Sequence, residues 1–278
     1  MKMSIKTGTL LIAIALISFV ACKKSAENLS SDDTTAAADN AQIEKASNDA
    51  ENSADVAATA GTGANLLVAP TGLGTCATIT NDTVSVPHVL TIDFGPVDCL
   101  GTDYIYRRGQ IIVTYTGKYK DAGSSHTISY NKYYYNDNQL KGYKTVTNMG
   151  MNSSGNYFYN IDVHDSLVID STAGTVISWS GSRTRTWTAG YNTATKWDDE
   201  YDIFGTTTVT RAGGKSVTFT VSSASPLHVA AICPWVESGS VTATRSAGGT
   251  YTIDYGTGTC DRLATLTVGG KTYNITLR

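Results

Sequence analysis

Residues 177–188 read ISWSGSRTRTWT, and the alternation of side chains in this stretch decides the fold class. Successive side chains of a β-strand point to opposite faces of a sheet. One face would therefore carry Ile, Trp, Gly, Arg, Arg and Trp, and the other only Ser and Thr. This division is typical of an antiparallel sheet with a core on one side and water on the other. We predict a β-strand here.

The same character continues through residues 74–278, which are rich in Thr, Tyr, Val, Ile and Ser. Clusters of Gly, Asn, Asp and Ser interrupt them at residues 121–123, 136–138, 152–155, 212–214, 247–249 and 269–270. Such clusters form tight turns between antiparallel neighbours, and no segment after residue 66 has the apolar spacing of an amphipathic helix. We predict an all-β fold with a large antiparallel sheet. A sandwich, an open barrel and a curved meander all fit the pattern.

The N-terminal residues have the layout of an export signal. Lys2 and Lys6 precede an apolar run over residues 10–20, which is too short to span a bilayer and ends at Ala21 and Cys22. This layout resembles the bacterial lipoprotein signal, although Phe19 and Val20 depart from its commonest form. The resemblance implies that residues 1–21 are removed and that Cys22 receives the lipid, palmitate included, that holds the protein to a membrane.

Residues 22–65 are predicted to be a lipidated cysteine followed by a disordered tether. They are dominated by Ala, Ser, Asp, Asn and Thr and are acidic, so they offer little apolar surface to bury. A transient helix over residues 38–60 is the alternative. Residues 66–278 form the predicted all-β domain, which is formally neutral once the signal and the tether are set aside. Neutrality and export both argue against a nucleic-acid partner.

Two segments of the predicted domain repeat each other. Residues 91–99 read TIDFGPVDC, residues 252–260 read TIDYGTGTC, and one further cysteine, Cys76 or Cys233, lies upstream of each. Four cysteines in an exported chain indicate two disulfides, and the repetition favours Cys76–Cys99 and Cys233–Cys260. Zinc is disfavoured because no C-x-x-C spacing occurs.

The order of these motifs resembles an uncharacterised family of cell-envelope lipoproteins from Bacteroidota. The motifs are the TIDFG-type segment before a cysteine, Arg108-Gly109, the sequence RTRTW at residues 183–187, WDD at residues 197–199 and GTGTCD at residues 256–261. The resemblance implies a lipid-anchored protein of the envelope, favours the outer membrane, and carries no assigned activity.

The alternating strand contains the sharpest candidate site, formed by Trp179, Arg183, Arg185 and Trp187. Buried arginines are rare unless they are paired, so alternating arginines in a strand that also carries tryptophans indicate a ligand-binding face, or a structural ladder of cations, rings and acidic neighbours. The sixteen tyrosines offer the same choice between ligand stacking and packing within the sheet.

A second candidate lies after Trp197, where Asp198, Glu200 and Asp202 would share a strand face. Their carboxylates could bind calcium or act on a glycan, and the alternative is a solvated turn. Elsewhere Asp162, His164 and Ser166 share a strand face, but no nucleophile framework surrounds them.

We therefore expect a membrane-anchored envelope lipoprotein with a non-catalytic binding or structural domain, whose ligand is a glycan or an envelope protein. No cofactor other than possible calcium is expected, and the lack of a catalytic motif disfavours an enzyme. The alternatives are a glycan hydrolase that uses carboxylates near Trp197, and an assembly subunit that pairs through strand edges.

Overall fold

The computed structural model describes residues 31–59, 73–169, 174–193, 195 and 197–277. The predicted signal and the lipidation site at Cys22 lie outside these residues.

The described chain contains one helix, α1 (Ser31–Thr59), followed by β1 (Thr78–Asp82), β2 (His88–Asp93), β3 (Cys99–Leu100), β4 (Tyr106–Tyr115), β5 (Ser125–Tyr135), β6 (Asn138–Met151), β7 (Tyr157–Ile169), β8 (Thr175–Ala189), β9 (Glu200–Arg211), β10 (Ser216–Val221), β11 (Leu227–Ala230), β12 (Val236–Arg245), β13 (Thr250–Thr257), β14 (Leu263–Val268) and β15 (Lys271–Thr276).

All fifteen strands belong to one antiparallel sheet, so the all-β prediction is confirmed. The strand order follows the chain from β1 to β15, with β3 beside β4 and with β11 bridging β9 and β12. Of the three predicted architectures this is the meander. It arises because short turns join nearly every strand to its neighbour.

The predicted alternation in β8 is confirmed by burial. Ile177, Trp179, Arg185 and Trp187 are buried, whereas Ser178, Ser180 and Ser182 are exposed. Both predicted disulfides are present and close loops of 23 and 27 residues.

The disordered tether predicted over residues 22–65 is corrected in part, because Ser31–Thr59 form α1 and join the core. Most of the circumference of α1 is buried, and only a narrow stripe that includes Ala38, Lys45 and Asp55 is exposed. The sheet therefore bends around the helix as a trough, and the core extends N-terminal of residue 66. The alternative of a helix is confirmed only in kind, because the helix begins at Ser31 rather than at residue 38 and packs in the core rather than being transient.

Glycines inside the strands let the sheet bend. Gly181 of β8 and Gly205 of β9 have φ values of 150° and 132°, and an added Cβ would lie 2.2 and 2.4 Å from backbone oxygens of the neighbouring strand. Glycine relieves both constraints, and strand glycines commonly mark such bends and close approaches.

Candidate functional site

The inner face of the trough holds α1 through ion pairs that are largely buried, except that the side chain of Arg211 is 39% exposed. The pairs are Asp39 with Arg211, Glu44 with Arg183, Asp49 with Arg107, and Glu51 with both Lys144 and Arg185. Each acid lies on α1 and each cation on a strand. This pairing explains how a helix with few large apolar residues can be buried, since a charge leaves water at tolerable cost only when it is paired and hydrogen-bonded.

Glu51 is the centre of this network. Its Oε2 lies 3.0 Å from Nζ of Lys144, and its Oε1 lies 3.3 Å from Nη1 of Arg185. Burial alone would raise the pKa of this carboxyl, but Lys144 and Arg185 outweigh burial and lower the pKa to about 2. Glu51 therefore stays ionised at any physiological pH.

A cavity lies beside this network, between the C-terminal half of α1 and the sheet, and has a volume of about 540 Å³. All four residues of the predicted ligand face, Trp179, Arg183, Arg185 and Trp187, line it. We call this space the α1 cavity. Its volume falls within the usual range for sites that take small molecules.

Aromatic side chains form much of the wall of the α1 cavity. Trp187 packs against Tyr201 with ring centroids 5.2 Å apart, and Lys120 lies over the Trp187 ring at 4.8 Å. Nε1 of Trp187 and the hydroxyl of Tyr201 both donate to Asp199, each at 3.2 Å. These bonds fix the orientation of both rings, so the wall is preorganised.

Two buried donors of the wall have no hydrogen-bond acceptor among the described residues. They are Nε1 of Trp179, whose residue is 2% exposed, and Nε of Arg185, whose residue is 9% exposed. Buried donors are nearly always paired in folded proteins.

The charges that line the α1 cavity balance. The cations are Lys120, Lys144, Arg183 and Arg185, and the carboxylates are Glu44, Glu51, Asp55 and Asp199. The interpretation of Arg183 and Arg185 as part of a structural ladder with acidic neighbours holds, since Glu44 and Glu51 are those neighbours. The same arginines nevertheless line the cavity, so the two interpretations are compatible.

The predicted calcium ligands do not form a grouped site among the described residues. Asp202 binds Nδ1 of His228 at 2.8 Å, Glu200 lies 3.6 Å from its Nε2, and Asp198 accepts a bond from Thr193 at 2.9 Å. The two strand carboxylates therefore face a histidine. The one cluster of potential metal ligands in the described part of the chain contains Cys233 and Cys260, which are joined as a disulfide.

The remaining residues that the sequence analysis singled out lie on both faces of the sheet. Asp162 and His164 of β7 are exposed on the outer face, where His164 packs against Tyr143. Tyr133, Tyr135 and Tyr159 are buried in the trough, so these tyrosines serve packing.

Sequence reasoning missed the acids of α1. Arg183 and Arg185 indicated that acidic partners exist, but nothing local showed that these acids lie on residues 31–59. The separation of the partners ranges from 58 residues for Asp49 and Arg107 to 172 for Asp39 and Arg211.

No helix among the described residues is both long and apolar enough to cross a membrane. Comparison of the chain with protein-family models, curated proteins and solved structures gave no significant match.

Proposed function

We propose that this protein is a lipid-anchored, non-catalytic binding protein of the cell envelope that holds a neutral glycan in the α1 cavity. The export and lipidation signal at residues 1–22 supports the location, and the resemblance to Bacteroidota envelope lipoproteins favours the outer membrane. The observation that carries the binding role is that Trp179, Arg183, Arg185 and Trp187 all line one preorganised cavity.

The chemistry of the wall favours a sugar. Aromatic faces stack on the C–H faces of sugar rings, and the aromatic residues Trp179, Trp187 and Tyr201 all line the cavity. Balanced charge favours a neutral ligand, because a site for an acidic polymer normally presents an excess of cations. A volume of about 540 Å³ suits a short saccharide or the end of a longer one.

The carboxylates of the cavity support binding better than hydrolysis. A glycoside hydrolase needs one carboxyl group that donates a proton, beside a second carboxylate. Glu44 and Glu51 are both in ion pairs with cations. Burial raises the pKa of Asp199, but both of its oxygens accept hydrogen bonds from wall residues, Trp187 and Tyr201. These three groups therefore serve to hold the wall together.

A glycan array tests the proposal. The protein spanning residues 23–278 retains α1 and every strand, and we expect it to bind at least one neutral glycan. Trp187→Ala should weaken that binding about tenfold, a typical loss for one stacking ring. Trp197→Ala is the matched control, because Trp197 is 47% exposed and does not line the cavity.

Thermal unfolding of both variants separates lost binding from lost folding, and Trp187→Phe keeps a ring at the same position. An array without any neutral glycan hit, or a hit that Trp187→Ala leaves unchanged in a folded protein, contradicts the proposal. Protein capture or crosslinking in cells would then identify a protein ligand.

Assembly through strand edges is a second candidate, which one observation favours. β15 lies at the end of the strand order, is half-buried or exposed along its whole length, and pairs only with β14 among the described residues. An open edge can accept a strand from another protein. Asn274→Pro should abolish a crosslink made through this edge and should leave glycan binding intact.

A further inference from the structure

A second cavity lies across a thin wall from the α1 cavity and has a volume of about 290 Å³. Leu90, Val113, Ile128 and Val146 project into it from β2, β4, β5 and β6. Ala54 and Ala58 of α1 cover it. We call this space the aliphatic cavity after these six aliphatic side chains, which line it together with polar and aromatic ones such as Tyr115, Lys118 and His126.

The two cavities share part of their walls. Glu51, Asp55, Ala58 and Tyr119 line both. Tyr119 stacks on Tyr159 with ring centroids 4.8 Å apart, and its hydroxyl accepts a hydrogen bond from Arg185. One layer of side chains, centred on the Tyr119 ring, therefore separates the two cavities.

Both cavities lie toward the same edge of the sheet. Residues 116–124 connect β4 to β5 at that edge, and within this loop Gly117 and Lys118 line the aliphatic cavity while Lys120 lines the α1 cavity. A single ligand that enters beside this loop could thus place one part in each cavity.

We propose that the ligand is a sugar that carries an alkyl chain, with the sugar in the α1 cavity and the chain in the aliphatic cavity. This inference rests on the proposed glycan site and adds the second half of the ligand. A sugar, with a hydroxyl on most of its carbons, gains less from contact with Leu90, Val113, Ile128 and Val146 than an alkyl chain does, since each methylene moved from water to such a wall gains free energy. A volume of about 290 Å³ fits a short chain rather than a whole membrane lipid.

Chain-length dependence of binding tests the assignment. Methyl, butyl, hexyl and octyl β-D-glucoside, each below its critical micelle concentration, are titrated into the protein spanning residues 23–278, and binding is followed by calorimetry. We expect octyl glucoside to bind about tenfold or more tightly than butyl glucoside. Complete transfer of a methylene from water would give about fourfold per methylene, so tenfold over four methylenes is a modest requirement.

A cavity-filling variant locates the chain. Ile128→Trp should fill the aliphatic cavity and flatten the dependence on chain length. Thr127→Trp adds the same bulk at the neighbouring position of β5, which points to the outer face, where Thr127 bonds to Thr145. This control should keep the dependence, and thermal unfolding verifies that both variants fold.

The outcomes separate the two proposals. No binding of octyl glucoside, or a chain-length dependence that Ile128→Trp leaves unchanged, overturns the alkyl-chain assignment. If a glycan binds less tightly to Trp187→Ala but an alkyl chain adds no affinity, the glycan site is supported and the alkyl-chain assignment is wrong. The glycan array could also fail while binding still depends on chain length and loses that dependence in Ile128→Trp. That result would mean that the protein binds an alkyl ligand without recognising a sugar.

Discussion

Asp49 of α1 accepts two hydrogen bonds from the guanidinium of Arg107 on β4, and the two side chains are only 5% and 2% exposed. The Nε to Oδ2 distance is 2.9 Å, and the hydroxyl of Tyr133 donates to the same carboxylate at 3.0 Å. Asp103 is the second acid that Arg107 contacts. Asp49 is thus the link through which α1 is fixed to β4 and β5.

Loss of this link should destabilise the fold strongly. Asp49→Ala leaves a buried guanidinium with one acid instead of two, and we expect the free energy of unfolding to fall by about 3 kcal/mol or more. Arg108→Ala is the matched control. Arg108 is the next residue, but its partners Asp98 and Asp137 are 42% and 74% exposed, so its loss should cost less than about 1 kcal/mol. Urea unfolding measures both, and equal losses would contradict the importance of the buried pair.

Removal of α1 should prevent folding of the sheet. A chain that starts at residue 66 would expose the core and leave Arg107, Lys144, Arg183 and Arg185 without their acids on α1. We expect no cooperative unfolding transition by circular dichroism. A peptide of residues 27–62 added in trans should restore one, and the same peptide with Asp49→Ala and Glu51→Ala should not. Cooperative folding of the truncated chain alone would show that α1 is dispensable.

Asp165 should make the protein less stable at neutral pH. Burial raises the pKa of this carboxyl from 3.8 to about 6, and the nearby charge of Lys144 offsets only part of the effect. Because the pKa of Asp165 is higher in the folded than in the unfolded protein, its contribution to the free energy of unfolding is fully present below pH 3.8. That contribution is lost as the pH rises through about 6. Asp165→Asn should therefore gain about 3 kcal/mol more at pH 8 than at pH 3.5.

The control for this variant is Asp162→Asn, on the exposed face of the same strand. Urea unfolding at the two pH values should show no comparable pH-dependent gain for it. If Asp165→Asn raises the free energy of unfolding equally at both pH values, ionisation of Asp165 does not account for the destabilisation.

Glu51 should act in the opposite direction. Its pKa is lowered from 4.5 to about 2, because Lys144 and Arg185 outweigh burial. Its contribution to stability is thus present above pH 4.5 and is lost as the pH falls through about 2. Glu51→Gln should reduce the free energy of unfolding by about 3 kcal/mol at pH 7 and by much less at pH 2.5. A loss that does not shrink on acidification would show that shape, not charge, accounts for the role of Glu51.

The sequence by itself determined the strands and the covalent links. The period-two alternation of β8 and the Gly, Asn and Asp clusters are local signals, so residues 177–188 predicted their own inner and outer faces. The repetition of TIDFG and TIDYG before Cys99 and Cys260 was enough to select the disulfide pairing.

Only the tertiary structure decided the place of α1 and therefore the existence of the two cavities. A segment of Ala, Asn, Asp and Glu has the composition of a solvated chain, and its burial depends on cations 58 to 172 residues away. No local pattern encodes a partner at that distance. The strand arginines indicated that acidic partners exist. Only the bend of the sheet around α1 brings Asp39, Glu44, Asp49 and Glu51 to those cations.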